Sequence, residues 1–149
     1  MLLKDDMLMA AGAFSKLYAT DVDGNLAGYN AVGLEIHSPS EHKIEGKIYD
    51  AELHIIHEMR QEFYSKQKRT KAIVSIFFQV DDNEASNKLL TDLKIDNPGT
   101  VSVNMDQLLQ SQLSTPIVYF SYKGSRSIPP CSEDVNWYVV EKPLTITTG

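Results

Sequence analysis

All four histidines of the chain fall in one short window, as His37, His42, His54 and His57. Imidazole ligates metals and changes charge near neutral pH, so this crowding raises metal chemistry first. In an extended strand, residues two apart share a face. Glu35 and His37 therefore point one way on one segment, and Glu52, His54 and Ile56 share a face on the next. If the segments pair as an antiparallel hairpin, His54 comes opposite Glu35 and His37. Two imidazole nitrogens and a carboxylate on rigid strands, with a further position open, form a ligand set that zinc accepts. The spacing leaves a second reading open, in which the histidines are hydrogen-bonded parts of a half-buried sheet.

The elements that must position these residues read as strands. Alternation and β-branched residues mark 31–37, 47–58, 72–80, 117–122, 136–141 and 144–147. Asp23-Gly24-Asn25 reads as a tight turn ahead of a strand, and Glu45-Gly46 as the hairpin turn linking the histidine strands. The run around Asp21 and Asp23 lacks the glycine position and the distal glutamate of a calcium loop, so a simple turn is expected there. Asp81-Asp82-Asn83 signals a helix start, residues 84–93 carry apolar side chains at helical spacing, and Asn97-Pro98-Gly99 stops them. A second short helix is expected over 105–109. The class is mostly β (α+β).

Composition bounds the function. At 149 residues and 42% hydrophobic, one domain over 1–149 with its own core is expected. Fourteen Lys and Arg against 20 Asp and Glu give a net charge of −6, which disfavours nucleic acid and anionic membrane as partners. The basic run at 66–71 reads as a solvated loop. The single cysteine, Cys131, cannot form an intramolecular disulfide and is expected as a packed small residue, not a nucleophile. No apolar run approaches the roughly 20 residues needed for a direct membrane span. Asp5 and Asp6 interrupt the apolar start, so no export signal is read, and a soluble, intracellular or organellar protein is expected. Tyr119, Phe120, Tyr122, Trp137 and Tyr138 are expected in core or edge packing.

The run His37-Ser38-Pro39-Ser40-Glu41-His42, then Gly46-Lys47-Ile48-Tyr49 and Glu52-Leu53-His54-Ile55-Ile56-His57, closely resembles the central signature of the α-class carbonic anhydrases. A second block, from Tyr122 through Ser125-Arg126-Ser127-Ile128-Pro129-Pro130-Cys131 to Trp137, resembles that family's second signature. The resemblance implies a large, twisted, mainly antiparallel sheet with short peripheral helices, and zinc held by three histidines. In the family, the metal ionises water near neutral pH and the hydroxide attacks CO2. By position, His37 and His54 match two of those ligands, and Glu52 matches the carboxylate that orients the His54 imidazole. Glu41 and Ser127 match the catalytic pair that orients the zinc-bound hydroxide. His42 and His57 match structural positions.

The departures are specific. Glu35 stands where the family has its first histidine ligand, and Gly33 where a glutamine supports that ligand. A carboxylate ligand adds negative charge, so reduced or lost zinc affinity and a less acidic bound water are expected. Arg126 replaces an apolar residue of the CO2 pocket and is placed to form a bidentate pair with Glu35. The resemblance also implies that the family's N-terminal and C-terminal portions, including the usual proton-shuttle histidine, are not represented in these 149 residues. Exposed sheet edges would then need cover from a protein partner or a homo-oligomer. The reading that unites these departures is a carbonic-anhydrase-like pseudoenzyme, a structural or interaction subunit of a larger assembly. The alternative is a zinc-dependent carbonic anhydrase, performing reversible CO2 hydration from an altered Glu35, His37, His54 site.

Overall fold

Alternating apolar and β-branched residues dominate the sequence, and among the described residues of the computed structural model strands are the main element, with one short 3-10 helix. The structure describes residues 2–4, 7–11, 16–66, 68–81 and 116–146. The strands are β1 (Leu2–Lys4), β2 (Met7–Ala11), β3 (Lys16–Thr20), β4 (Leu26–His37), β5 (Ala51–Met59), β6 (Lys71–Val80), β7 (Tyr119–Gly124), β8 (Val135–Val140) and β9 (Leu144–Ile146). They form one nine-stranded sheet in the order β1-β2-β4-β5-β6-β8-β7, with β3 also on β4 and β9 also on β6. Pairing is antiparallel except where β8 and β9 run parallel to β6. Both helices expected from the sequence lie outside the described residues. A 3-10 helix at Gln61–Lys66, which sequence patterning missed, caps the end of β5.

β4 to β9 overlap the six expected strands, whereas β1, β2 and β3 fall outside them and β4 begins at Leu26, ahead of position 31. The second histidine strand begins at Ala51 and not at position 47, because residues 38–50 fold on themselves. Ser40 N–H donates to Tyr49 O at 3.0 Å, and Tyr49 N–H donates to Ser40 Oγ at 2.9 Å. Within this connection Glu45 and Gly46 take positive φ values of 50° and 81°, and Ile44 bridges Lys47. The expected turn exists, but it sits inside a longer loop. The Asp23-Gly24-Asn25 turn joins β3 to β4, and the Asp21 carboxylate accepts from the backbone N–H of Asp23 and of Asn25, both at 2.9 Å. That is a side-chain-capped turn.

β5 is central and buried on both faces. One face packs Leu53 and Ile55 with Ala31, Leu34, Ile76, Phe78 and Val140 into the largest core cluster. The other carries Glu52, His54 and Ile56, with Ile56 joining Ile73, Val135 and Trp137. A bulge between Ala31 and Gly33 inserts one residue into β4. Both Ala31 and Leu34 thereby reach the apolar core, while Glu35 and His37 turn to the His54 face.

Candidate metal centre

Antiparallel pairing of β4 with β5 sets Glu35 opposite His54 and His37 opposite Glu52. On the other side, β6 sets Ser75 opposite His54. Five polar residues thus meet in an otherwise apolar sheet. Glu35, Glu52, His54 and Ser75 are at most 2% exposed. Burying such groups is costly unless each finds a partner.

Glu52 is the hub. Its Oε1 accepts from His54 Nε2 at 2.7 Å, His42 Nδ1 at 2.5 Å and Ser75 Oγ at 2.6 Å. Its Oε2 accepts the backbone N–H groups of Glu41 and His42, both at 2.8 Å. Burial alone would raise this carboxyl, but the hydrogen bonds from His42 and His54, the nearby His54 ring and Ser75 overcome it and hold it far below the usual carboxylate range. An ionised carboxylate only accepts, so His42 carries its proton on Nδ1 and His54 on Nε2. His42 Nε2 then accepts from the Tyr122 hydroxyl at 2.6 Å. Burial, with the charges of Glu52 and Glu41, pushes that phenol up to about 12.

With His54 Nε2 committed to Glu52, Nδ1 is the ring nitrogen left over. This nitrogen and His37 Nε2 are buried with no hydrogen-bond partner among the described residues. The two rings lie 4.6 Å apart, and Trp137 packs edge-on against His54 at 4.9 Å. The ligand atoms of Glu35, His37 and His54 lie within 4.8 Å of one another. Glu35 divides its oxygens: Oε1 accepts from Arg126 Nη2 at 2.9 Å, while Oε2 faces His37 Nε2 at 3.8 Å. The Arg126 contact therefore uses a single oxygen and is not the bidentate fork expected, because the second oxygen is turned to the imidazoles. Burial lowers His37, yet the Glu35 contact and the charges of Glu41, Glu35 and Glu52 outweigh it and leave its pKa above the ordinary 6.5.

The residues singled out from the sequence are not all gathered. Glu41 reaches the cluster, with Oε1 3.3 Å from His37 Nδ1. Ser127 is exposed in the loop after β7, and among the described residues no hydrogen bond joins it to Glu41. His57 faces the opposite side of β5, where Nδ1 bonds Ile55 O at 2.9 Å. Cys131 is exposed at φ 56° and not packed, since the turn that holds its N–H on Ile128 O points the side chain outward. Two residues of the network escaped sequence reasoning. Ser75 was legible as the one polar inward position in an apolar strand, but Tyr122 carried no sign that its hydroxyl would meet His42.

Residues 11–149 match the family model described as eukaryotic-type carbonic anhydrase. The chain belongs to the carbonic anhydrase family. Alpha carbonic anhydrase 4 of Arabidopsis thaliana is 34% identical over 119 residues, covering 80% of this chain and 42% of that protein. A carbonic anhydrase of a Nostoc species is 30% identical over 122 residues, covering 78% of this chain and 42% of its own length. The chain spans about two fifths of the length of these curated relatives. The solved halotolerant carbonic anhydrase from Dunaliella salina shares the fold at a TM-score of 0.68 and 22% identity, covering 91% of this chain and 54% of that one. Zinc is the metal of α carbonic anhydrases, and here two bare, buried imidazole nitrogens and a facing carboxylate suit that ion. Among the described residues no helix is long and apolar enough to cross a membrane.

Proposed function

We propose that this chain is a carbonic-anhydrase-fold pseudoenzyme, in which the metal centre survives as architecture with reduced zinc affinity and the sheet serves as a structural or interaction subunit. The observation that carries this reading is the buried Glu35, which takes the first ligand's place and already has a cation, Arg126, on one oxygen. Where zinc does bind, Glu35, His37 and His54 would hold it, and it would supply Lewis acidity that makes water a nucleophile toward CO2. Glu52 fixes the His54 tautomer, Glu41 orients His37, and Arg126 brings a charged group to a pocket that favours apolar CO2. Interaction is supported by β7, an outer strand whose Tyr119, Phe120 and Tyr122 are exposed and whose flanking Ile117 and Val118 are exposed too. A protein partner or a second copy of the chain fits that edge.

The second reading, a working carbonic anhydrase with a Glu/His/His centre, is favoured by the intact nitrogen donors and their supporting network. One experiment separates the two: metal content of the natively purified protein by mass spectrometry, with stopped-flow CO2 hydration on the same sample. The pseudoenzyme reading expects substoichiometric zinc and no turnover above buffer. Stoichiometric zinc with turnover would establish the enzyme instead.

A further inference from the structure

Glu35 is a carboxylate removed from water, and such a group needs a counter-cation. The described cationic side chain that bonds it is Arg126, through Oε1 at 2.9 Å. We infer that Arg126 and a divalent metal ion are competing counter-cations for Glu35, so that the guanidinium holds the centre in a metal-free form and must withdraw for the metal to bind tightly.

The pair is asymmetric in a way that allows exchange. The Glu35 side chain is 3% exposed and fixed near the C-terminal end of β4, whereas the Arg126 side chain is 28% exposed and reaches in from a loop between β7 and β8. A partly hydrated guanidinium can return to water at little cost, but the carboxylate has nowhere to go. The loop backbone need not follow. Arg126 N–H donates to Ser132 O at 3.1 Å, and Ser125 O accepts from Trp137 Nε1 at 2.9 Å, so the chain is held on both sides while the side chain swings.

The destination is prepared. His37 Nε2 and His54 Nδ1 stand bare beside Glu35, and Glu41 and Glu52 add negative charge around them. A divalent ion satisfies all three donors at once, where the single guanidinium contact satisfies one carboxylate oxygen. Two cations cannot share this small space without strong repulsion. Removing Arg126 should therefore have opposite effects on the two forms, weakening the metal-free protein and tightening metal binding.

The inference rests on the reading that His37 and His54 are the nitrogen donors, and its test keeps the two apart. The chelator-stripped 149-residue chain would be titrated with zinc in competition with a chromophoric chelator, and melted with and without zinc, for the unaltered chain, Arg126→Leu, Arg126→Gln and Glu35→Gln. The result expected is zinc binding about ten- to hundredfold tighter in Arg126→Leu, a lower melting temperature without zinc and a larger zinc-induced rise. In Glu35→Gln the same Arg126→Leu change should shift affinity far less, because the shared carboxylate is gone. Zinc binding in Arg126→Leu that is no tighter than in the unaltered chain would overturn the proposal. Should that variant not fold, Arg126→Gln, which removes the charge but keeps a polar side chain, should bind zinc more tightly than the unaltered chain, and unchanged binding there overturns it equally. Tightening that survives His37→Ala would instead remove the donor reading, since the metal would then sit elsewhere.

Discussion

Glu52 accepts from two imidazoles, one hydroxyl and two backbone N–H groups, so one carboxylate ties β5 to the loop before it and to β6. Replacing it with Gln puts an amide donor where only acceptors fit. Glu52→Gln should cost about 3 kcal/mol of stability, against about 1 kcal/mol for Ser75→Ala, which loses a single hydrogen bond. Urea denaturation of both variants checks the order, and equal costs would mean the hub is not shared as described. Glu35→His addresses the metal instead. It should raise zinc affinity more than CO2 turnover, because Arg126 remains in the pocket; hydration rising as steeply as affinity would show that Arg126 does not obstruct catalysis. At this scale the sequence was informative wherever a residue type is rare in a strand. Glu35, His37, Glu52 and His54 stood out in alternating apolar runs, whereas the role of Tyr122 depends on a partner 80 positions away.

Among the elements, the join between β6 and β8 is parallel, and an ion pair clamps its start: Lys71 Nζ meets Asp134 Oδ2 at 2.5 Å. Burial would raise Asp134, but Lys71 and Ser132 lower its pKa below the ordinary 3.8. A lowered carboxylate contributes stability above its unfolded pKa and loses it as pH falls through the folded value. Asp134→Asn should therefore cost about 0.5–1 kcal/mol at neutral pH, with the difference from the unaltered chain closing below about pH 4. Melting curves across that range read it directly, and a gap that persists in acid would point to packing instead of charge. A second test concerns the end of β7. A Cβ at Gly124 would come within 2.8 Å of the Tyr122 ring and 2.9 Å of Trp137 Cδ1. Trp137 is buried against both His42 and His54, so it cannot yield. Gly124→Ala should cost about 1–3 kcal/mol and perturb the emission of the single tryptophan. An unperturbed spectrum would mean that Tyr122 alone moves aside.

At the scale of the whole molecule, the outer strand β7 stands out among the described residues. β7 shows aromatic side chains on both faces, and its one charged residue, Lys123, is already paired with Asp23 at 2.5 Å. It carries no free charge to discourage another strand. Sedimentation velocity should show association that grows with concentration, and Phe120→Lys should suppress it by placing charge on the edge. A monomer at all concentrations would remove the interaction surface from the proposal.

By itself the sequence determined the class, six of the nine strands and the histidines and carboxylates singled out for a metal, because alternation, rare buried polar residues and two signature blocks are local properties of the chain; β1, β2 and β3 lie outside the expected runs. It also drew attention to Glu35 and Arg126, through the resemblance of the two signature blocks. Only the tertiary structure decided how they act. The bulge in β4 turns Glu35 and His37 toward His54, and no local pattern announces an inserted residue. Which Glu35 oxygen faces Arg126 and which faces His37 follows from how the β7–β8 loop lies over the sheet. The exposure of β7 likewise depends on strand order, which long-range pairing sets and alternation cannot encode.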